Sequence, residues 1–105
     1  LDPIPDDSPE LAGRLQQLYN GLCAGRLDRT VMADEYLAEA GEAESWWIEV
    51  AQMFGDASQI ELVKLNDEKG KSQRTYRVLA RGAPLLMHCQ LDKYGKLTDL
   101  SFEPE

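Results

Sequence analysis

The stretch that decides the fold is YRVLARGAPLLMHCQLDKYGKLTDLSFEP, from Tyr76 to Pro104. Within it, the residues from Leu85 to Leu91 alternate strictly between two sets, which predicts a β-strand with one buried face. The set that we expect to face inward consists of Leu85, Met87, Cys89 and Leu91, and the outward set consists of Leu86, His88 and Gln90.

Turns on both sides of this strand connect it to two neighbours. Arg81 to Pro84 reverses the chain after a strand from Ser72 to Ala80, and Asp92 to Gly95 reverses it again. The final strand runs from Leu97 to Phe102, with Thr98, Leu100 and Phe102 predicted on one side.

A first strand begins at Gln59, where the apolar period changes from helical to alternating. Leu62 and Val63 are neighbours and both apolar, which indicates a β-bulge. The turn Asn66 to Gly70 then leads into the second strand, so we predict a four-stranded antiparallel meander.

Three helical segments are predicted before the meander. The first follows the capping residue Ser8, carries apolar residues at spacings of three and four, and ends near Gly25. A short second helix ends at Gly41, and a third runs from Glu42 to Phe54. The predicted fold class is therefore α+β, with three N-terminal helices packed on a curved four-stranded antiparallel sheet.

Length and charge limit the class of protein. With 105 residues, of which 43% are apolar, the chain can form one domain with a modest core. Its formal net charge of −8 repels phosphate backbones, so nucleic acid is not an expected partner. No apolar run approaches the ~18 residues of a membrane-spanning helix, so we expect no membrane insertion.

The two cysteines, Cys23 and Cys89, form no CxxC or Cys/His metal-binding spacing. No metal site and no cofactor is predicted. The cysteines form a disulfide if the first helix packs over the third strand, and otherwise they are two reduced thiols.

Residues 1–8 are predicted to be a linker or a processed N-terminal segment, and residues 9–105 a single domain. Three prolines among the first nine residues favour extended chain over a packed element. The start at Leu1 is expected either for a secreted or periplasmic protein after processing or for a domain cut from a longer polypeptide.

Helices followed by a curved meander resemble the nuclear-transport-factor-two-like cone fold, which is also seen in ketosteroid isomerase. Three stretches make the resemblance more specific. They are Phe54-Gly55, Tyr76-Arg77-Val78, and Leu91-Asp92-Lys93-Tyr94-Gly95-Lys96-Leu97 followed by Phe102 and Pro104. In these features the chain is similar to small accessory domains attached to bacterial serine hydrolases of the β-lactamase-like or α/β-hydrolase type. The resemblance implies a shortened cone with a shallow pocket for a small apolar ligand, and a tethered catalytic domain as partner.

Catalysis of the ketosteroid isomerase type requires a buried carboxylate base that faces a hydrogen-bond donor across an apolar cavity. The best such set in this chain is Asp99 with Tyr76 and Tyr19. Alternation along the last strand, however, favours the solvent face for Asp99. The chain also contains no Gly-x-Ser-x-Gly motif of serine hydrolases and no phosphate-binding loop. We therefore assign no catalytic residue.

The adjacent Trp46 and Trp47 point ~100° apart on a helix, so they cannot both face the core. We expect Trp47 to fill the core. Trp46 then either covers a groove between helices or lines a cavity mouth or interface together with Met53 or Tyr36.

Arg77 and His88, the only histidine, fall on the predicted outer face of the sheet. We expect His88 to be a surface or groove residue that contacts Arg77 or Gln90, rather than a catalytic one. The resemblance implies that this face is where such domains form homodimers or dock on a neighbour.

Three functions remain open from the sequence. The first is a non-catalytic binding or accessory module, part of a larger hydrolase, that acts by protein contact or by binding a small ligand. The second is a small standalone enzyme of the ketosteroid isomerase type. The third is an acidic partner-binding protein of the inhibitor or immunity type, for which the charge of −8 is the motivation.

Overall fold

Two α-helices and a four-stranded antiparallel sheet form the α+β fold of the computed structural model, which describes residues 1–105. The strands follow one another in the sheet in the order β1-β2-β3-β4, so the predicted meander is confirmed. The elements are α1 (Pro9–Cys23), two 3₁₀ turns (Arg29–Val31 and Asp34–Tyr36), α2 (Leu37–Phe54), β1 (Ala57–Glu68), β2 (Lys71–Ala80), β3 (Leu85–Leu91) and β4 (Leu97–Pro104).

The prediction of three helices is wrong. The segment expected to be a second helix forms the two 3₁₀ turns instead, and between them Ala33 donates a backbone hydrogen bond of 2.8 Å to Leu97 of β4. Helix α2 then runs straight through Gly41, which does not have the positive φ angle of a helix-terminating glycine. Pairing with the sheet edge overrides the helical pattern here, and α2 absorbs the predicted third helix.

The register of the sheet shifts at three places, and two of these shifts bear on the predictions. A shift between Leu62 and Lys64 of β1 confirms the predicted bulge. A second shift, opposite the end of β3, turns Thr98 to the outer side, where its Oγ1 bonds with Gln90. The prediction that Thr98 shares a side with Leu100 is therefore wrong, because strict alternation fails at an irregular pair.

The inner face of the sheet is the face that packs against α1 and α2. Its central residues are completely buried, and Phe102 meets Tyr19 of α1 edge-to-face with ring centroids 6.0 Å apart. The side chains that fill this interface at 2% exposure or less include Leu15, Leu18, Tyr19, Trp47, Tyr76, Val78, Leu85 and Met87.

Each edge of the sheet is contacted locally by chain that lies outside it. At β1, the backbone N–H of Ile4 donates to the carbonyl of Leu62 at 2.8 Å. At β4, Ala33 pairs with the backbone, and the hydroxyl of Tyr36 accepts a hydrogen bond of 3.0 Å from the N–H of Leu100. These contacts are local, and the rest of β1 and the end of β4 after Leu100 make no further backbone bond along the sheet edge.

Residues 1–8, which we call the N-terminal strap, contact both faces of the sheet. The carbonyl of Leu1 accepts a hydrogen bond from Arg77 on the outer face. Asp7 and Asp6 bond Arg74 on the inner face, with closest distances of 2.9 and 3.4 Å. The strap thus crosses the edge of β1 and is fixed at both ends.

Candidate functional site

The outer face of the sheet is the face opposite the helices, and it carries polar side chains in three rows across the four strands. Each row contains one residue from every strand, held side by side by the register. The rows are Glu61, Arg77, Leu86 and Glu103; then Lys64, Thr75, His88 and Ser101; then Asn66, Gln73, Gln90 and Asp99.

The second and third rows line an open groove of about 460 Å³. Amide, hydroxyl and charged side chains contribute to its wall and offer donors and acceptors to a bound surface. The side chains of this groove include Lys64, Asn66, Gln73, Thr75, His88, Gln90 and Asp99.

His88 lies in the centre of the face and is held from both sides. Its Nδ1 lies 2.9 Å from Oγ1 of Thr75, and its Nε2 lies 2.5 Å from a carboxylate oxygen of Glu103. The expectation that His88 is a surface or groove residue is therefore met, but its partners are Thr75 and Glu103 rather than Arg77 or Gln90.

The sequence of groups Thr75, His88 and Glu103 is superficially similar to that of a nucleophile, base and carboxylate triad. Thr75, however, is only 6% exposed, so its hydroxyl is not presented to a substrate. The chemical consequence of these bonds is that they fix the orientation of the imidazole ring, which leaves His88 as a pre-oriented contact group.

Arg77 lies in the first row, between Glu61 and Leu86. Its Nε donates to Glu105 at 2.8 Å, its Nη1 donates to Glu61 at 3.2 Å, and its Nη2 reaches the carbonyl of Leu1. The hydrogen bonds to Glu105, followed by those to Glu61, raise the pKa of Arg77 above its usual value. Its charge is thus already paired within the chain.

The structure does not bring together the set considered for isomerase chemistry. Asp99 is exposed on the outer face, whereas Tyr19 and Tyr76 are buried beneath the helices. The hydroxyl of Tyr19 donates to the carbonyl of Gly55 at 2.8 Å, and burial raises the pKa of Tyr76 to about 12. The two phenols therefore act as structural groups of the core.

Trp46 and Met53 lie neither on the outer face of the sheet nor in the core, but on the exposed side of α2. Trp47 is 2% exposed and fills the core as predicted, while Trp46 is 50% exposed and Met53 is 73% exposed. Tyr36 does not join them, because it is buried with its ring 6.3 Å from that of Trp47.

Several residues of the groove were not singled out by sequence reasoning. Lys64 and Asn66 belong to it because the bulge in β1 sets which of its residues oppose β2, whereas Gln73 follows from the alternation of β2 with Thr75 and Arg77. The turn at Gly70 was a usable signal, since a hairpin register can be counted outward from its turn.

Metal-binding and redox features are limited. No group of three or more His, Cys, Asp or Glu side chains is placed to hold a metal ion. Cys23 and Cys89 are both free thiols, and burial raises the pKa of Cys89 to about 12. Neither helix combines the length and the apolar character that crossing a membrane would demand.

Comparison of the chain with protein-family models, with curated proteins and with solved structures found no match. The outer face is therefore assigned as the candidate site from its geometry alone.

Proposed function

We propose that this domain is a non-catalytic binding module that acts by protein contact through the outer face of its sheet. The observation that carries the proposal is the set of side chains held in fixed orientation along the groove of that face, His88 by Thr75 and Glu103 and Gln90 by Thr98, set against a helix–sheet interface that is filled with side chains. A binding surface is usually concave or flat, accessible and lined by a few oriented polar groups, and the outer face meets these conditions.

Pre-organisation of the polar groups supports the same function. His88 is held by two hydrogen bonds and Arg77 by three partners, so neither loses much conformational freedom when a partner binds. Leu86 lies between them in partly exposed form and offers an apolar contact. The face therefore offers a partner both polar groups and one apolar contact, a mixture that is usual in non-obligate interfaces.

The resemblance to cone-fold accessory domains supplies the proposed partner. In this proposal the domain is a shortened cone attached to a serine hydrolase, and the catalytic domain, or a second copy of the chain, covers the outer face. The reading frame that encodes the chain tests the attachment. A serine-hydrolase domain in the same frame is the expected result, and a frame that holds this domain alone would overturn the accessory role.

Contact through the face is tested by titrating the domain with the separately produced remainder of the encoded protein, or by sedimentation for self-association. Gln90→Arg places a bulky charge in the groove and should weaken association roughly tenfold or more. Gln17→Arg, at an exposed position of α1, is the matched control and should leave association unchanged. Equal effects of the two substitutions would contradict the proposal.

A further inference from the structure

The negative charge of the chain is concentrated in one segment of the sequence. Residues 30–63 contain eight acidic residues and no Lys or Arg. The chain has 19 acidic residues, so 11 acidic residues remain elsewhere, and they are balanced by 11 Lys and Arg. The whole net charge of −8 therefore lies between Thr30 and Val63. This segment contains α2, the 3₁₀ turns before it and the first part of β1.

The exposed side of α2 combines this charge with large apolar side chains. Positions 42, 46, 49 and 53 follow the spacing of one helical face, and Glu39 lies one turn before them. We call these five residues the α2 strip: Glu39, Glu42, Trp46, Glu49 and Met53, all exposed.

None of the three glutamates of the α2 strip takes part in an ion pair within the chain. The carboxylate of α2 that is paired, Glu44, bonds Arg29 and lies off the strip. The indole N–H of Trp46 likewise makes no hydrogen bond in the chain, although half of the side chain is exposed. A half-exposed Trp and a fully presented Met are the residue types that most often anchor protein interfaces.

We propose that the α2 strip is a second docking surface, which binds a protein that presents Arg or Lys side chains around an apolar contact. Charge complementarity selects this occupant: unpaired carboxylates attract cationic side chains, and the indole face of Trp46 accepts a cation in a cation–π contact. The same carboxylates repel nucleic acid and anionic lipid. The strip is on the helical layer, on the other side of the sheet from the groove, so this inference goes beyond the proposed function and stands independently of it.

The test is selection from a random linear peptide library displayed on phage, with the domain as the immobilised target. Peptides bound by the wild-type domain should be enriched in Arg and Lys, roughly twofold or more over the library. Trp46→Ala should lower the affinity of the selected peptides roughly thirtyfold or more, as expected for an aromatic anchor. The double variant Glu42→Gln with Glu49→Gln should lower it roughly tenfold and reduce its salt dependence.

The control is Asp67→Asn with Glu68→Gln, which removes the same number of exposed carboxylates at the β1–β2 turn and should leave affinity unchanged. Circular dichroism checks that each variant is folded. If Trp46→Ala does not fold, the double variant of Glu42 and Glu49 provides the test instead. The proposal is overturned if no saturable binder is obtained, if the peptides lack Arg and Lys enrichment, or if the α2-strip variants bind like wild type. Self-association that Trp46→Ala abolishes would also overturn it, since the occupant would then be a second copy.

Discussion

The two faces of the sheet are built from the same four strands, yet they differ in what holds their side chains. On the inner face, Tyr76 and Met87 are completely buried under the helices, and apolar burial stabilises their positions. On the outer face, Thr75 and His88, their neighbours along the strands, are positioned by hydrogen bonds to each other. Stability thus depends on the inner face, which leaves the outer face available for binding because little folding energy resides there.

The sharpest comparison uses two adjacent residues of β3. Met87→Ala empties a fully buried position and should lower the free energy of unfolding by about 2–5 kcal/mol. Leu86→Ala, on the outer face, should lower it by less than about 1 kcal/mol, because Leu86 is only partly buried. Urea unfolding of both variants measures the difference. Similar losses in the two variants would show that the outer face also belongs to the folding core.

Arg74 is the exception on the inner face, because it is a charged residue among apolar ones. It is buried and bonds Asp7, Asp6, the hydroxyl of Tyr76 and that of Ser72. Arg74→Ala should cost about 1–3 kcal/mol of stability through the loss of these charge-assisted bonds.

The same substitution should release the N-terminal strap. Hydrogen exchange at the amide of Ile4, which bonds Leu62, should then become faster. Arg81→Ala is the control, since Arg81 is exposed and its nearest carboxylate oxygen, in Asp56, is 4.0 Å away. Unchanged protection of Ile4 in the Arg74 variant would mean that the strap is held without this ion pair.

The inner face should also make stability sensitive to alkaline pH. Burial raises the pKa of Cys89 from 9.0 to about 12, so the unfolded chain loses this proton at a lower pH than the folded chain does. The stabilising contribution of the neutral thiol is complete below about pH 9 and is lost as the pH rises toward about 12. When the pH rises from about 9 to about 10, the free energy of unfolding of Cys89→Ala should fall by about 1 kcal/mol less than that of the wild type. Parallel pH profiles for the two proteins would contradict this assignment.

The smallest effect is expected on the outer face. Glu103→Gln removes the charge that pairs with His88, but Glu103 is exposed, so the free energy of unfolding should change by less than about 0.5 kcal/mol. Chemical denaturation is sufficient to measure it. A loss above about 1 kcal/mol would mean that the polar rows stabilise the fold, and the contrast between the faces would then be weaker than we describe.

The strands could be predicted because their signal is local. Alternation placed Cys89 inward and His88 outward, and the neighbouring Leu62 and Val63 marked the bulge. The helices were less predictable, since a glycine such as Gly41 is typical of a helix end and yet lies within α2. Nothing in the sequence near Ala33 indicates that its backbone pairs with Leu97, because that contact is between distant parts of the chain.

The candidate site could be predicted only in part for the same reason. Arg77 and His88 were placed on the outer face correctly, but the groove beside them depends on the register of all four strands. The shift in β4 that brings Thr98 to Gln90 leaves no mark in residue type. The absence of Lys and Arg from residues 30–63 is visible in the sequence, but we predicted no charged surface from it.

The most direct test of the central claim compares solvent contact at the outer face in two states. Side-chain amide signals of Gln73 and Gln90 are recorded by NMR with a soluble paramagnetic gadolinium chelate, first in the isolated domain and then in the full-length protein that we propose to contain it. Both amides line the groove, so they should be broadened in the isolated domain and protected in the full-length protein. Equal broadening in both states would show that nothing covers the outer face, and would contradict its role as the binding surface.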